Sequence, residues 1–261
     1  MIGHEEAWEV WRAALAGERM HHAWLLTGRA GLGKTTFALA AARELVGGRP
    51  DPAAHHPDIL LLTHGPKTRE DAKKREDGKP YELARGIKVD QIRELQRRLT
   101  MRPTLGEKRA VIVDPADDLE ISAANALLKS LEEPPAGTYF LLVSHSPARL
   151  LPTIRSRCRA LRFAALSDEA LGRFLAGMAG DARQEERAAA IAAAAGSPGA
   201  ALGFVAMGLA ATARTMRHIR DSGDADFTAR GELTGLIGAR PERERLRAVL
   251  DLARAAVGED I

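Results

Sequence analysis

Gly28-Arg29-Ala30-Gly31-Leu32-Gly33-Lys34-Thr35-Thr36 decides how this chain reads, because it satisfies G-x-x-x-x-G-K-[ST] at every fixed position. Glycines let the backbone curl until successive N–H groups point at one anion, and a helix starting there adds the positive end of its dipole. Lys34 can reach terminal phosphates and Thr35 can hold Mg²⁺. Gly28, Gly31, Gly33, Lys34, Thr35 and Thr36 are therefore the expected nucleotide-binding residues. The flanks agree: Ala23–Thr27 is a short apolar run of strand type, and 36–45 has helical composition.

Working outward, 5–17 spaces Ala7, Trp8, Val10, Trp11, Ala14 and Leu15 as an amphipathic helix that Gly17 can end. His21 and His22 have no Cys, Asp or Glu at ligand spacing and read as structural. Beyond the loop's helix, the breakers Gly47-Gly48-Arg49-Pro50-Asp51-Pro52 precede a second strand at Ile59–Leu62. Residues 67–79 carry six basic and four acidic side chains with no large apolar residue, which predicts a mobile solvated loop. Interleaved acids and the lack of an aromatic disfavour DNA contact there.

Val89, Ile92, Leu95 and Leu99 mark a helix, and 109–114 is a β-branched strand that delivers Asp114 at its C-terminal end. Ligands of a parallel α/β sheet bind at that edge, so Asp114 is expected to share Mg²⁺ with Thr35. A helix at 122–133 is stopped by Pro134-Pro135, and a strand at Thr138–Ser144 brings Ser144 to the same edge as a candidate γ-phosphate sensor. A short helix or turn at 152–158 and a strand at 159–163 complete an alternation that predicts an α/β fold with a five-stranded parallel sheet. From Ser167 the pattern is helical only, at 168–179, 185–195 and 198–213. The remainder is Arg-rich, with Gly223, Gly231, Gly235 and Gly238 expected to break it. The expected division is 1–165, a nucleotide-binding domain; 166–205, a helical lid; and 206–261, the incomplete start of a further helical domain.

Composition sets bounds. A chain of 261 residues, 45% hydrophobic, can bury a substantial core. A formal charge of +3 from 38 basic and 35 acidic residues gives no electrostatic argument for nucleic acid. A single cysteine, Cys158, excludes an internal disulfide and a cysteine-rich metal site. With no signal-peptide pattern and no bilayer-length apolar run, a cytoplasmic protein without membrane partners is expected.

Four stretches together resemble the AAA+ clamp-loader ATPases of bacterial replication: the phosphate loop, Val111-Ile112-Val113-Asp114-Pro115-Ala116-Asp117, Leu127-Leu128-Lys129-Ser130-Leu131-Glu132-Glu133-Pro134-Pro135, and Ser156-Arg157-Cys158. The resemblance covers about 1–205. It implies a component of a DNA polymerase holoenzyme, a nucleotidyltransferase assembly, working with gamma/tau-type ATPases, a delta-type opener, the sliding clamp and primer–template DNA. It also implies bound ATP or ADP with Mg²⁺, and a catalytic role for Arg157 in trans, as an arginine finger reaching the nucleotide of a neighbouring subunit.

The chain departs from active AAA+ enzymes in three places. The glutamate that usually follows the metal-binding aspartate, and orients the attacking water, is replaced by Pro115. Asp117 and Asp118 are nearby carboxylates, displaced along the chain from the position a base needs. Residues 196–202 lack the arginine that such enzymes place against the γ-phosphate. The four-cysteine module that many loader subunits insert is absent from 51–58, so no zinc is expected. Nucleotide binding with weak or absent hydrolysis follows; the alternative is an autonomous motor such as a branch-migration helicase.

Overall fold

The computed structural model describes residues 2–17, 20–47 and 56–258, so the breakers expected at 48–52 lie outside the described residues. Packing divides the chain into two compact units, Gly3–Arg29 with Lys34–Ala164, and Ala30–Gly33 with Ala165–Ile261.

The first unit holds α1 (Glu5–Ala16), β1 (Ala23–Thr27), α2 (Lys34–Val46), β2 (Ile59–Leu62), α3 (Arg69–Glu76), α4 (Val89–Leu99), β3 (Arg109–Val113), α5 (Ile121–Glu132), β4 (Thr138–Ser144), α6 (Pro152–Arg155) and β5 (Arg159–Arg162). All strand pairs are parallel, in the order β2-β3-β4-β1-β5. A central parallel sheet is covered on both faces, which is why β3 reads Arg-Ala-Val-Ile-Val with every position buried. Thr27 of β1 lies opposite Ser144 of β4, and Val113 of β3 opposite Leu142, so the phosphate loop, Asp114 and Ser144 all leave one sheet edge.

Two clusters clamp the sheet. On one side α1 and α2 bring aromatic rings together: Trp8 lies 4.4 Å from Phe37, Trp11 5.4 Å from Trp24, and Phe37 5.1 Å from Phe163, between ring centroids. Such pairs are worth about 0.5–1.5 kcal/mol each beyond area burial. In the other cluster Ile92, Leu95 and Leu99 of α4 pack with Ala123, Leu127 and Leu131 of α5 against Val111, Phe140 and Leu142. The spacing of three and four residues in α4 puts its apolar stripe inward and leaves Arg93, Arg97 and Arg98 exposed.

A buried charged pair fixes the loop between α4 and β3. Asp58 accepts from the amides of Thr104 (2.6 Å) and Leu105 (2.8 Å). Arg109, 3.9 Å away, donates to the carbonyls of Arg98, Met101 and Arg102, satisfying the open C-terminal end of α4. Burial pushes the Asp58 carboxyl up, but the two amides and Arg109 outweigh it and hold it below the usual carboxylate range.

Residues 67–79 are not the expected loop. They contain α3, which has no apolar stripe and forms because Thr68 and Asp71 make a reciprocal capping box. Asp71 is buried and also accepts from the Glu82 amide, while Pro66 and Leu83 form an antiparallel bridge, so the segment is tied at its base.

The second unit contains α7 (Asp168–Met178), α8 (Gln184–Ala194), α9 (Pro198–Ala206), α10 (Ala210–Ser222), α11 (Thr228–Ile237) and α12 (Arg243–Gly258). The helix expected over 198–213 is broken between α9 and α10, where Gly208 adopts φ +62°. Gly231 and Gly235 lie inside α11 rather than breaking it, whereas Gly223 (φ +75°) and Gly238 (φ +91°) do end helices. Leu171, Leu175, Ala201, Phe204, Leu209, Val249 and Leu252 share one core, so packing runs across 205/206, where a boundary was expected. Among the described residues no single helix is long and apolar enough to cross a membrane.

Candidate functional site

β1 ends at the sheet edge and the chain turns through the phosphate loop into α2. Gly31 and Gly33 both sit at φ +78°, a conformation that L side chains rarely adopt. Gly31 has a second reason to be glycine: an added Cβ would lie 2.4 Å from Ser197 Oγ, within the second unit, where the Gly199 amide donates to the Gly31 carbonyl at 2.9 Å. Ser197 caps α9, its Oγ accepting from the Ala200 amide, and no cation stands in that 196–202 turn.

Lys34 is 2% exposed, and its Nζ donates to the carbonyls of Gly28 and Arg29, both at 2.6 Å. Burial lowers its pKa from 10.5 to about 8, and the nearby carboxylates of Asp114 and Asp117 oppose that shift. An ammonium whose hydrogen-bond acceptors among the described residues are two neutral carbonyls gains from a phosphate oxygen, which is a charged acceptor.

Thr35 Oγ1 donates to Asp114 Oδ2 at 2.6 Å. These two oxygens are so close that one cation could take both as ligands, and a hydroxyl with a carboxylate is a hard-oxygen set of the kind Mg²⁺ uses beside phosphates. The residues present therefore fit Mg²⁺, which when bound would neutralise phosphate charge. Thr36, expected in the same group, is exposed at the start of α2. Pro115 follows Asp114 directly and carries no side-chain acceptor.

Asp117 is buried and accepts three hydrogen bonds, from Ser144 Oγ (2.7 Å), from the His145 amide and from the Ser146 amide (3.2 Å). It shapes the end of β4 rather than facing an open water position. Ser144, the candidate γ-phosphate sensor, is fully buried and its hydroxyl proton is committed to Asp117 rather than directed at a phosphate position. Asp118 is engaged with His64 Nε2 at 3.1 Å and Arg149 Nη2 at 3.4 Å. His145 went unnoticed in the sequence. Its pKa is lowered by burial and by Lys34, with Asp117, Asp114 and Asp118 opposing. Only its position after a strand ending at the ligand edge could have flagged it.

Arg157 stands apart from this group. It follows α6, with side chain 35% exposed; Nη2 contacts Glu132 Oε1 at 2.6 Å and Nη1 donates to the Thr153 carbonyl at 2.9 Å. The neighbouring Cys158 packs against the core, and burial pushes its thiol up to about 12, which makes it an inert packing residue. His21 and His22 stack on each other and bond to the carbonyls of Ala23 and Leu131, a structural role.

A parallel sheet in this order, with a phosphate loop after β1 and a carboxylate after β3, defines an AAA+ fold. Solved structures agree at the level of fold. A DNA polymerase III gamma subunit-related protein from Thermotoga maritima gives a TM-score of 0.56 at 17% identity, over 97% of this chain and 84% of that one. The RuvB Holliday junction branch migration motor of the same organism gives 0.53 at 18%, over 100% and 83%. The chain belongs to the family described as DNA polymerase III, delta subunit, which matches residues 3–167. It is 39% identical over 159 residues to DNA polymerase III subunit delta' of Pseudomonas aeruginosa, covering 55% of this chain and 44% of that protein. It is 36% identical over 204 residues to the delta' subunit of Escherichia coli, covering 73% and 56%. The chain thus spans about half the length of the curated relatives it matches.

Proposed function

We propose that this chain is a delta'-like member of a clamp loader that holds a nucleotide without hydrolysing it usefully and donates Arg157 to a neighbouring ATPase subunit. The observation that carries the reading is the pairing of Thr35 Oγ1 with Asp114 Oδ2 at 2.6 Å, directly followed by Pro115. The two oxygens that would hold a nucleotide's metal lie together, and Pro115, where active enzymes of this kind place a water-orienting glutamate, has no carboxylate. Losing a positioned base removes about 10²–10⁴ of rate, whereas backbone amides, Lys34 and the metal ligands dominate ground-state affinity. Binding therefore outlives turnover.

Arg157 supports the second half. It forms an ion pair with Glu132, donates to the Thr153 carbonyl and keeps a third of its side chain in solvent. A planar guanidinium suits the spread charge of a transferred phosphoryl, and such a group supplied by another subunit is worth about 10³–10⁵ in rate. The gamma and tau/gamma subunits among the chain's relatives support ATPase neighbours for it, 31–32% identical over 160–186 residues. The delta-type opener, the sliding clamp and primer–template DNA are the further partners this reading entails.

The purified chain tests the first half directly. It should bind ATP or ADP in the presence of Mg²⁺ in a calorimetric titration and release phosphate at no more than the rate of its own Lys34→Ala variant. Brisk hydrolysis by the isolated chain would refute the proposal and favour an autonomous motor.

A further inference from the structure

We infer that Glu132 is a positioning residue for Arg157, holding the guanidinium in the orientation from which it reaches out of its own subunit. The inference rests on the proposed use of Arg157 in trans.

Glu132 is the last residue of α5, where the helix presents its negative end. A carboxylate there opposes the macrodipole, so local helix physics disfavours it and a specific partner must offset the cost. That partner is Arg157, at 2.6 Å. Both ends of the pair start from rigid backbone. Leu131, one residue earlier, is 1% exposed and its carbonyl bonds to His22 Nε2 at 2.9 Å. Ile154 of α6 is fully buried, the Arg157 amide donates to its carbonyl, and Arg157 Nη1 donates to Thr153. Nη1 thus donates one hydrogen bond and Nη2 faces a carboxylate, which leaves guanidinium N–H groups for a further acceptor.

Magnitudes separate positioning from a lock. The two side chains are 35% and 49% exposed, and an ion pair at such a site biases a side chain by about fivefold at most. An arginine reaching a transferred phosphoryl is worth about 10³–10⁵ in rate. The pair is far too weak to withhold the arginine, yet sufficient to select one rotamer of a long, flexible side chain in advance.

The test uses the loader reconstituted with its gamma/tau-type and delta-type subunits, measuring steady-state ATPase. Glu132→Ala should lower kcat about three- to fivefold with KM for ATP unchanged. Glu132→Asp, which keeps a carboxylate one methylene shorter, should stay within about twofold of the unsubstituted complex, and Glu132→Gln, which removes the charge, should follow Glu132→Ala. In an Arg157→Ala background Glu132→Ala should add nothing, the coupling expected of a residue that acts only through its partner. A rise in ATPase on Glu132→Ala would mean a lock and overturn the inference. So would an equal loss in both backgrounds, which would mean a structural role, or a Glu132→Asp effect as large as that of Glu132→Ala. If Arg157→Ala alone leaves the ATPase unchanged, the in-trans role fails first, and that outcome is read independently of any Glu132 variant.

Discussion

Raising the pH should weaken nucleotide binding through Lys34 alone. This lysine is 2% exposed and burial holds its pKa at about 8 rather than 10.5. A bound polyphosphate puts a charged acceptor beside the ammonium, which raises that pKa in the complex. The bound state therefore keeps a proton that the free state loses, and affinity falls about tenfold for each pH unit above 8. Between about pH 7.5 and 9.5 the fraction of free chain with Lys34 charged drops from roughly three-quarters to a few per cent, so the apparent Kd for MgADP rises about 25-fold. The nucleotide's own last phosphate ionisation, near pH 6, is complete over this window. Calorimetric titrations at five pH values would measure the slope. Lys34→Arg stays charged throughout and should give a flat profile, whatever its absolute affinity. A flat profile for the native chain, or an equal slope for Lys34→Arg, would refute the reasoning. The same shift affects folding with its own sign. Between about pH 8 and 10.5 the unfolded lysine binds more protons than the folded one, so without nucleotide this lysine's contribution to stability rises with pH.

Asp58→Ala should destabilise the first unit by about 3–5 kcal/mol, because it strands the buried Arg109 and two amides, and thermal unfolding followed by circular dichroism should show it. A loss below about 1 kcal/mol would mean that the pair does not hold the end of α4. Gly31→Ala combines an unfavourable φ of +78° with a 2.4 Å approach to Ser197 Oγ, and should abolish measurable MgADP binding while leaving the far-ultraviolet spectrum intact. Unchanged affinity would show that the loop's curl does not set the cradle.

The sheet was legible because four of the five strands hold short apolar runs between helix-period segments, and three strand ends carry or precede polar residues with obvious chemistry: the phosphate loop after β1, Asp114 after β3 and Ser144 in β4. Gly28–Thr36 and Asp114 could be found without coordinates, since phosphate chemistry restricts the residue types. What stayed hidden depended on partners distant in sequence. The helix α3 has no apolar period, and its signal was the Thr68/Asp71 capping box in a segment where charge dominated the reading. Asp117 looked like a spare carboxylate until the structure set three donors from the end of β4 around it, across 27–29 residues of sequence. The Arg157–Glu132 contact spans two motifs, each recognisable alone, whose meeting only the fold reveals. Gly231 and Gly235 show the opposite failure, because a single glycine inside a helix costs only about 1 kcal/mol and does not by itself end it.

The central claim is that this chain's own nucleotide site binds while its Arg157 serves the site of a neighbour. The most direct measurement compares Lys34→Ala with Arg157→Ala in the reconstituted loader, by ATPase rate under saturating ATP. The account predicts that Arg157→Ala lowers the rate by at least about 10²-fold per affected site, and that Lys34→Ala lowers it far less. A large loss from Lys34→Ala with little effect of Arg157→Ala would contradict it.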